Sequence, residues 1–307
     1  MPSLLEQLSA DLVGAVDRAA RSTVAIHARR RIPASGVLWR PGIVVATHHT
    51  VHKDIDVPVT LAGGAQRRAT VIGRDPGTDL VALRLEDGGP PGEATPAELA
   101  RDPLRVGQLV LAVGRPGEGV TAAHGAVSAV GPAWRTWQGG HVDQFVRLDV
   151  AVYDGFSGGP LVDAAGRVAG IDTSALARAA ALAIPVPTVE RVVDRLLAGG
   201  SARRGYLGLG SQPVRLPEPV RAALAAEGRT QQVGLMIVAL EPGAPAERGG
   251  LLLGDVLLAL DGTATEDPQA VLALLGPDTP GQVMRADLLR AGERRTLPIT
   301  VGEHPGS

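Results

Sequence analysis

Apolar residues recur along this chain with two different periods. Between Ser3 and Ala20 they return every three or four positions, so that Leu4, Leu5, Leu8, Leu12, Val13 and Val16 share one helical face, and Ser3 and Glu6 have the spacing of a capping box. From Thr23 the runs turn short, β-branched and bounded by Gly, Pro or Asp. They cover 23–28, 36–39, 43–46, 57–61, 68–72, 80–85 and 109–113, then 126–130, 143–148, 159–162 and 168–171. Strands arriving about every eight to twelve residues predict a sandwich or barrel rather than alternating βα units. About a dozen strands is twice what one small barrel needs, so two barrels side by side are expected.

The helical period returns in "PTVERVVDRLLAGG", where Val189, Val192, Val193, Leu196 and Leu197 lie on one face and Gly199-Gly200 closes the segment. Residues 201–204 read as a short basic linker. Beyond them strands are expected at 207–209, 235–240, 256–260, 283–289 and 296–301, with a helix over 268–275 that Asp267 caps and Pro268 opens. Two domains follow, 1–200 and 204–303.

Composition narrows the class. The 40 glycines and 24 prolines among 307 residues lack a collagen period and favour a β-rich fold with many tight turns. A formal net charge of -2, with scattered arginines, gives no electrostatic case for nucleic acid. The absence of cysteine removes disulfides, thiolate metal sites and cysteine nucleophiles. Near the N-terminus Glu6, Asp11 and Asp17 interrupt the apolar positions, there is no basic leader pattern, and no segment reaches membrane-spanning length. A cytoplasmic location is therefore expected.

Two stretches carry chemistry. In "YDGFSGGPLVD", residues 153–163, Gly155, Gly158 and Gly159 flank Ser157. Such a run is either a tight turn or a nucleophile elbow, in which backbone N–H groups converge on the site of reaction. In "ATHHTVHKD", residues 46–54, three of the chain's 7 histidines follow an apolar strand. They read as a metal site, a catalytic base or chance. Zinc would want further ligands, and the helical metalloprotease pattern would want a glutamate beside the first histidine; neither is present. A serine nucleophile needs a histidine to take its proton and a carboxylate to orient that histidine. Asp79, directly before the apolar run 80–85, supplies a carboxylate that is costly to bury unless hydrogen-bonded.

With these residues in order, residues 20–198 resemble a chymotrypsin-fold serine protease, and the whole chain resembles the HtrA (Deg) family, in which such a domain precedes PDZ domains. The family's T-N-H-V-V is similar to Thr47-His48-His49-Thr50-Val51, its D-x-x-x-D-L-A-V to Asp75 through Ala82, and its G-N-S-G-G-P-L to Gly155 through Leu161. Leu148-Asp149-Val150, "VLAVGRPG" (110–117) and "LAIPVPTV" (182–189) also fall where the family has similar runs. The resemblance implies a mainly β fold, a chymotrypsin-like double β-barrel followed by a PDZ domain, itself a small β-barrel with helices. It implies His49 as base, Asp79 as its orienting carboxylate, Ser157 as nucleophile, and the Gly155 and Ser157 N–H groups as oxyanion hole, with no metal or other cofactor. Phe156 and His48 stand where the family has asparagines, and Thr50 where it has valine; no reacting atom is lost.

The same resemblance places Ala151 at the floor of the specificity pocket and Asp172 through Leu176, including Ser174, along its wall. Without an acidic floor an apolar preference is expected, unless Asp172 turns inward. "RGYLGLG" (204–210) resembles the carboxylate-binding loop of a PDZ domain, and 241–262 its core run. A C-terminal peptide would then add as a strand beside Tyr206, Leu207, Gly208 and Leu209, with Val271, Leu272 and Leu275 on the facing helix. The implied partners are unfolded protein or peptide substrates and a second and third copy of the chain, although the N-terminal helix lacks aromatic residues to pack a homotrimer. A protease-fold scaffold that binds peptides with little hydrolysis is the alternative, motivated by Phe156 and His48.

Overall fold

A computed structural model describes residues 3–29, 32–86, 94–177, 180–199, 205–276 and 279–303. The chain divides into two compact units, Met1–Ala202 and Arg203–Ser307. The expected linker at 201–204 lies outside the described residues.

The first unit opens with α1 (Leu4–Ala20), whose capping box forms as expected: the Ser3 hydroxyl accepts from Glu6 N–H while the Glu6 carboxylate accepts from Ser3 N–H. The buried face differs from the expected one. Ala15 and Ala19 are buried, Leu12 and Val16 pack partly, and Leu4, Leu5, Leu8 and Val13 stay exposed. Small side chains let the helix lie close to the barrel, where Arg18 Nε donates to Ala165 O at 2.7 Å.

Two closed barrels follow. The first contains β1 (Thr23–Ile26), β2 (Ala34–Arg40), β3 (Ile43–Thr47), β4 (Val57–Thr60), β5 (Gln66–Asp75) and β6 (Leu80–Leu85), in the order β1-β2-β3-β6-β5-β4. The second contains β7 (Leu109–Gly114) and β8 (Thr121–Gly131), then, past the small ribbon β9 (Trp134–Arg135) and β10 (His141–Val142), β11 (Phe145–Asp149), β12 (Pro160–Asp163), β13 (Val168–Thr173) and β14 (Ala181–Pro185). Its order is β11-β14-β13-β12-β7-β8. Successive residues on a strand point to opposite faces. Leu38, Val44 and Leu83 therefore fill the first barrel, while their neighbours Val37, Val45 and Ala82 join Val113, Val162 and Ile171 of the second in one core between the barrels. Burial on both faces is why these strands read as continuous apolar runs. α2 (Val186–Leu197) closes that core with Val189, Val192, Val193 and Leu196.

The sequence pattern missed β14, where small residues and prolines mask the strand. It also began β11 two residues early, because Asp143 instead accepts from Thr188 Oγ1 at 2.6 Å and Arg191 Nη2 at 2.9 Å.

The second unit is one six-stranded sheet with a separate ribbon. The ribbon pairs β15 (Gly205–Tyr206) with β22 (Gly302–Glu303). The sheet holds β16 (Leu209–Arg215), β17 (Val233–Leu240), β18 (Val256–Leu260), β20 (Val283–Arg290) and β21 (Glu293–Thr300), with β19 (Thr263–Ala264) beside β18. Among the described residues three helices complete it: α3 (Glu218–Ala226), α4 (Pro245–Arg248) and α5 (Pro268–Leu274). The strand expected at 207–209 is interrupted: Leu207 and Gly208 form a loop whose carbonyls accept from Ala246 N–H and Glu241 N–H at 2.8 and 2.9 Å. β16 is an edge strand of the sheet.

Candidate active site

Asp79 is set by a tight turn. Residues Pro76–Thr78 form one 3-10 turn after β5, and Asp79 follows it in the left-handed region, φ 58°. A short polar side chain tolerates that backbone where a β-branched one would not. Two supports brace the turn: Arg195 of α2 donates to Asp75 Oδ2 at 2.5 Å, and Thr136, between β9 and β10, donates to Gly77 O at 2.6 Å. Gly140 allows this approach, since a Cβ there would lie 2.1 Å from Gly77 O.

His49 lies on the turn His48–Thr50 that follows β3. The Asp79 carboxylate holds it from two sides: Oδ1 accepts from the His49 backbone N–H at 3.0 Å, and Oδ2 lies 2.8 Å from His49 Nδ1. Thr173 Oγ1, at the end of β13, donates to the same Oδ2 at 2.6 Å. Asp79 is buried, and each bond offsets part of its lost hydration. With Nδ1 donating to Asp79, the lone pair sits on Nε2, the tautomer a general base requires.

Ser157 enters from the second barrel, on the loop before β12. The loop is clamped by backbone bonds to β13, Gly158 N–H to Asp172 O at 2.9 Å and Asp172 N–H to Gly159 O at 3.0 Å. Gly158 has φ 91° and passes so close to β2 that a Cβ would lie 2.3 Å from Ser35 O. Ser35 also donates from Oγ to Gly155 O at 2.5 Å, tying the loop to the first barrel. The N–H groups of Gly155 and Ser157 donate to no acceptor among the described residues, as two donors awaiting an anion would.

The structure thus joins His49 to Asp79 directly, while the Ser157 hydroxyl pairs with Ser174 Oγ at 3.1 Å rather than with the His49 ring. One neutral hydrogen bond is worth about 0.5–1.5 kcal/mol. Removing it with Ser174→Ala is expected to raise the rate of fluorophosphonate labelling by roughly two- to tenfold; an unchanged rate would show that the Ser174 contact does not restrain the nucleophile.

Other expected residues have different surroundings. Ala151 is exposed after the end of β11, not enclosed as a pocket floor. Asp172 is fully buried, with both carboxylate oxygens unpartnered among the described residues, and burial pushes its carboxyl well above the ordinary range. Phe156 is buried, edge-on to Tyr153 at 5.5 Å and packed over Gly114, so it does not line the cleft. His48 Nδ1 accepts from Arg74 Nη1 at 3.2 Å; burial and that guanidinium lower its pKa. His52 is exposed. Among the described residues no cluster of three or more His, Asp or Glu side chains is placed to hold a metal. Thr173, expected within the pocket wall at 172–176, instead braces Asp79, and Ser35 has no expected role; nothing in their local pattern marks these contacts, because their partners lie 94 and 120 residues away.

In the second unit, Gly208 has φ 70° in the loop between β15 and β16, and the Leu207 and Gly208 N–H groups have no acceptor among the described residues. The Tyr206 hydroxyl donates to Glu241; burial and that bond push the phenol up to about 12. Val271 and Leu275 belong to the core of the unit, while Leu272 is half-buried and outside it. Leu272 is thus the one of the three left for a groove.

Residues 34–171 match the trypsin-like peptidase domain and residues 236–286 match the PDZ domain. A protein named probable periplasmic serine endoprotease DegP-like, from Halomonas elongata, is 32% identical over 285 residues, covering 91% of this chain and 58% of that protein. A namesake from Brucella suis is 33% identical over 287 residues, covering 91% and 54%. The chain therefore spans a little over half the length of these curated relatives. Among solved structures, the HtrA-type protease AlgW with tripeptide superposes with TM-score 0.68 at 29% identity, covering 96% of this chain and 98% of that one. A serine endoprotease from Yersinia pestis superposes with TM-score 0.70 at 24% identity and 99% coverage of both chains, a likeness of fold. The relatives' names correct the expected cytoplasmic location, since both are called periplasmic. The acidic residues of α1 belong to a folded helix and carry no information about export, and a chain without cysteine suits an oxidising compartment equally well.

Proposed function

The chain belongs to the HtrA (Deg) family of trypsin-like serine proteases with a PDZ domain, and from that premise we propose that it is an ATP-independent periplasmic serine endopeptidase acting on unfolded or damaged proteins. The observation that carries the reading is the His49–Asp79–Thr173 chain of hydrogen bonds, which fixes a base tautomer beside a glycine-rich serine loop.

In the proposed cycle the Ser157 hydroxyl rotates from Ser174 to His49. Nε2 takes its proton as Oγ attacks the scissile carbonyl, and the imidazolium is stabilised by the Asp79 carboxylate. The Gly155 and Ser157 N–H groups hold the developing oxyanion. His49 then returns the proton to the departing amine, leaving an acyl group on Ser157, and a water deprotonated by the same ring releases it. Phe156 and His48, the two departures that raised the scaffold alternative, are held clear of these steps by burial and by Arg74.

For the PDZ unit we propose that C-terminal peptides of substrate or signal proteins add to the β16 edge beside Tyr206 to Leu209, with the free N–H groups of Leu207 and Gly208 receiving the carboxylate. The domain bounds 1–200 and 204–303 form part of the same reading. A homotrimer is supported by Leu4, Leu5 and Leu8, which stand exposed on α1.

Unfolded casein is expected to be cleaved without nucleotide, and a denatured protein digest read by mass spectrometry to change in rate when C-terminal peptides are added. Intact casein after prolonged incubation would contradict the endopeptidase reading; cleavage indifferent to added peptides would contradict the PDZ coupling.

A further inference from the structure

We propose that Arg74 is a positioning residue for the reaction: its guanidinium grips the chain on both sides of His49 and keeps the imidazole where the Ser157 hydroxyl can meet it. The inference rests on the reading of His49 as the general base of a Ser157 endopeptidase.

Arg74 lies on β5, in register with Val81 of β6 and one residue before Asp75. β5 runs into the turn that carries Asp79, and Arg195 braces that turn through Asp75. The segment that Arg74 faces is less well held. Between the turn His48–Thr50 and β4 the chain passes through residues 51–56 without helix or strand. Val51 anchors the start of this segment in the core of the first barrel, but residues 52–56 are all exposed. An exposed segment with few buried contacts opens at low cost unless polar bonds hold it.

Arg74 supplies those bonds with every donor it has. Nη1 reaches the Val51 carbonyl at 2.7 Å and His48 Nδ1 at 3.2 Å, the residues that bracket His49 and Thr50. Nη2 donates to Lys53 O at 3.2 Å and to Asp54 Oδ1 at 2.8 Å, and Nε donates to the same carboxylate oxygen at 3.0 Å. These bonds exhaust the N–H groups of a guanidinium, and all of them fall on residues 48–54. Val71 N–H adds a backbone tie from the same strand to Asp54 O at 2.7 Å. The charge pair itself contributes little, because the Asp54 side chain is 71% exposed. The Arg74 side chain is only 13% exposed, so its bonds to the Val51 carbonyl and the His48 ring are shielded from water.

The resting arrangement of the site gives this grip its importance. Asp79 holds His49 through the backbone N–H and Nδ1, while Nε2 has no partner among the described residues because the Ser157 hydroxyl pairs with Ser174. The hydroxyl must therefore turn toward an imidazole that is already in place. A misplacement of about 1 Å between reacting groups costs about 10²-fold in rate. By holding His48 and Val51 together, Arg74 keeps the turn from rocking about the Asp79 contact and ties it to the strand that leads to Asp79. His48 thereby gains a role of its own: its ring is the acceptor through which Arg74 holds the residue next to the base.

Three variants of the full chain test this, by steady-state kinetics on a peptide substrate and by the rate of fluorophosphonate labelling of Ser157. Arg74→Met keeps most of the stem and loses every donor; kcat and the labelling rate should both fall about 10- to 100-fold while KM stays within about twofold. Arg74→Lys keeps the charge but not the planar fork, and should fall with Arg74→Met rather than stay with the wild type. Asp54→Ala removes an exposed acceptor that takes bonds from Nε and Nη2, and should lower kcat about two- to fivefold at unchanged KM. The proposal is overturned if a folded Arg74→Met keeps kcat within about threefold of wild type, if the loss appears in KM instead, or if Arg74→Lys retains the full rate, which would leave only the charge at work. Should Arg74→Met not fold, Asp54→Ala decides alone, since its side chain is exposed, and an unchanged kcat there overturns the proposal as well. A wild-type protein that takes no label would sink the reading of His49 and Ser157 as base and nucleophile, whereas a labelled wild type whose Arg74 variants label equally fast would sink the role of Arg74 alone.

Discussion

Ser157→Ala is expected to lower kcat for casein hydrolysis by about six orders of magnitude, to the level that binding and the oxyanion donors alone sustain. The substitution removes the attacking oxygen and little else. The Gly155 and Ser157 N–H groups remain, the loop stays clamped to β13 by Gly158 and Asp172, and Ser35 still holds Gly155. Among the described residues the bond lost is the 3.1 Å contact to Ser174, so the change in stability should stay within about 1.5 kcal/mol. Casein hydrolysis and the melting temperature, measured on the same preparation, separate loss of chemistry from loss of fold. Hydrolysis persisting in a well-folded Ser157→Ala protein would end the assignment of this serine.

Asp79→Asn should come next in effect, lowering kcat by about 10³- to 10⁴-fold with the fold retained. Asparagine tolerates the left-handed backbone at φ 58° as well as aspartate does, so the turn over Pro76–Thr78 survives. The electrostatics do not. Oδ1 accepts from the His49 backbone, and Oδ2 accepts from both Thr173 Oγ1 and His49 Nδ1. An amide can present its oxygen to only one of these sides, and its NH₂ then faces donors on the other. Relief comes if His49 moves its proton to Nε2, which leaves no lone pair toward Ser157. Steady-state kcat with a peptide substrate, alongside circular dichroism, checks this. An activity within tenfold of wild type would mean that Asp79 does not set the tautomer.

The double barrel was legible because burial on both strand faces leaves continuous β-branched runs, as in 43–46 and 80–85, and because Asp and Gly punctuate them. β14 was not legible: its residues are small or proline, and its identity as a strand depends on pairing with β11 and β13. The face of α1 was misread for a related reason. Periodicity marks the larger apolar side chains, but the close packing of the helix against its barrel selected Ala15 and Ala19. α3 and α4, absent from the expected elements, begin at or just after prolines.

In the site, the pairing of His49 with Asp79 could be anticipated because the nucleophile chemistry demands a base and a carboxylate. Thr173 and Ser35 could not, since a hydroxyl that braces a distant loop leaves no local periodicity. Asp172 shows the limit most clearly. Its residue type was noticed, but whether it faced water or the interior depended on the register of β13 against β14, which a sequence does not state.

The account stands most directly on where the chain reacts. Incubation of the wild-type protein with a fluorophosphonate, followed by intact-mass measurement and peptide mapping, should show a single adduct on the Ser157 oxygen, with no adduct on Ser174, His49 or any other residue. An unmodified protein, or an adduct mapped elsewhere while Ser157 stays free, would contradict it.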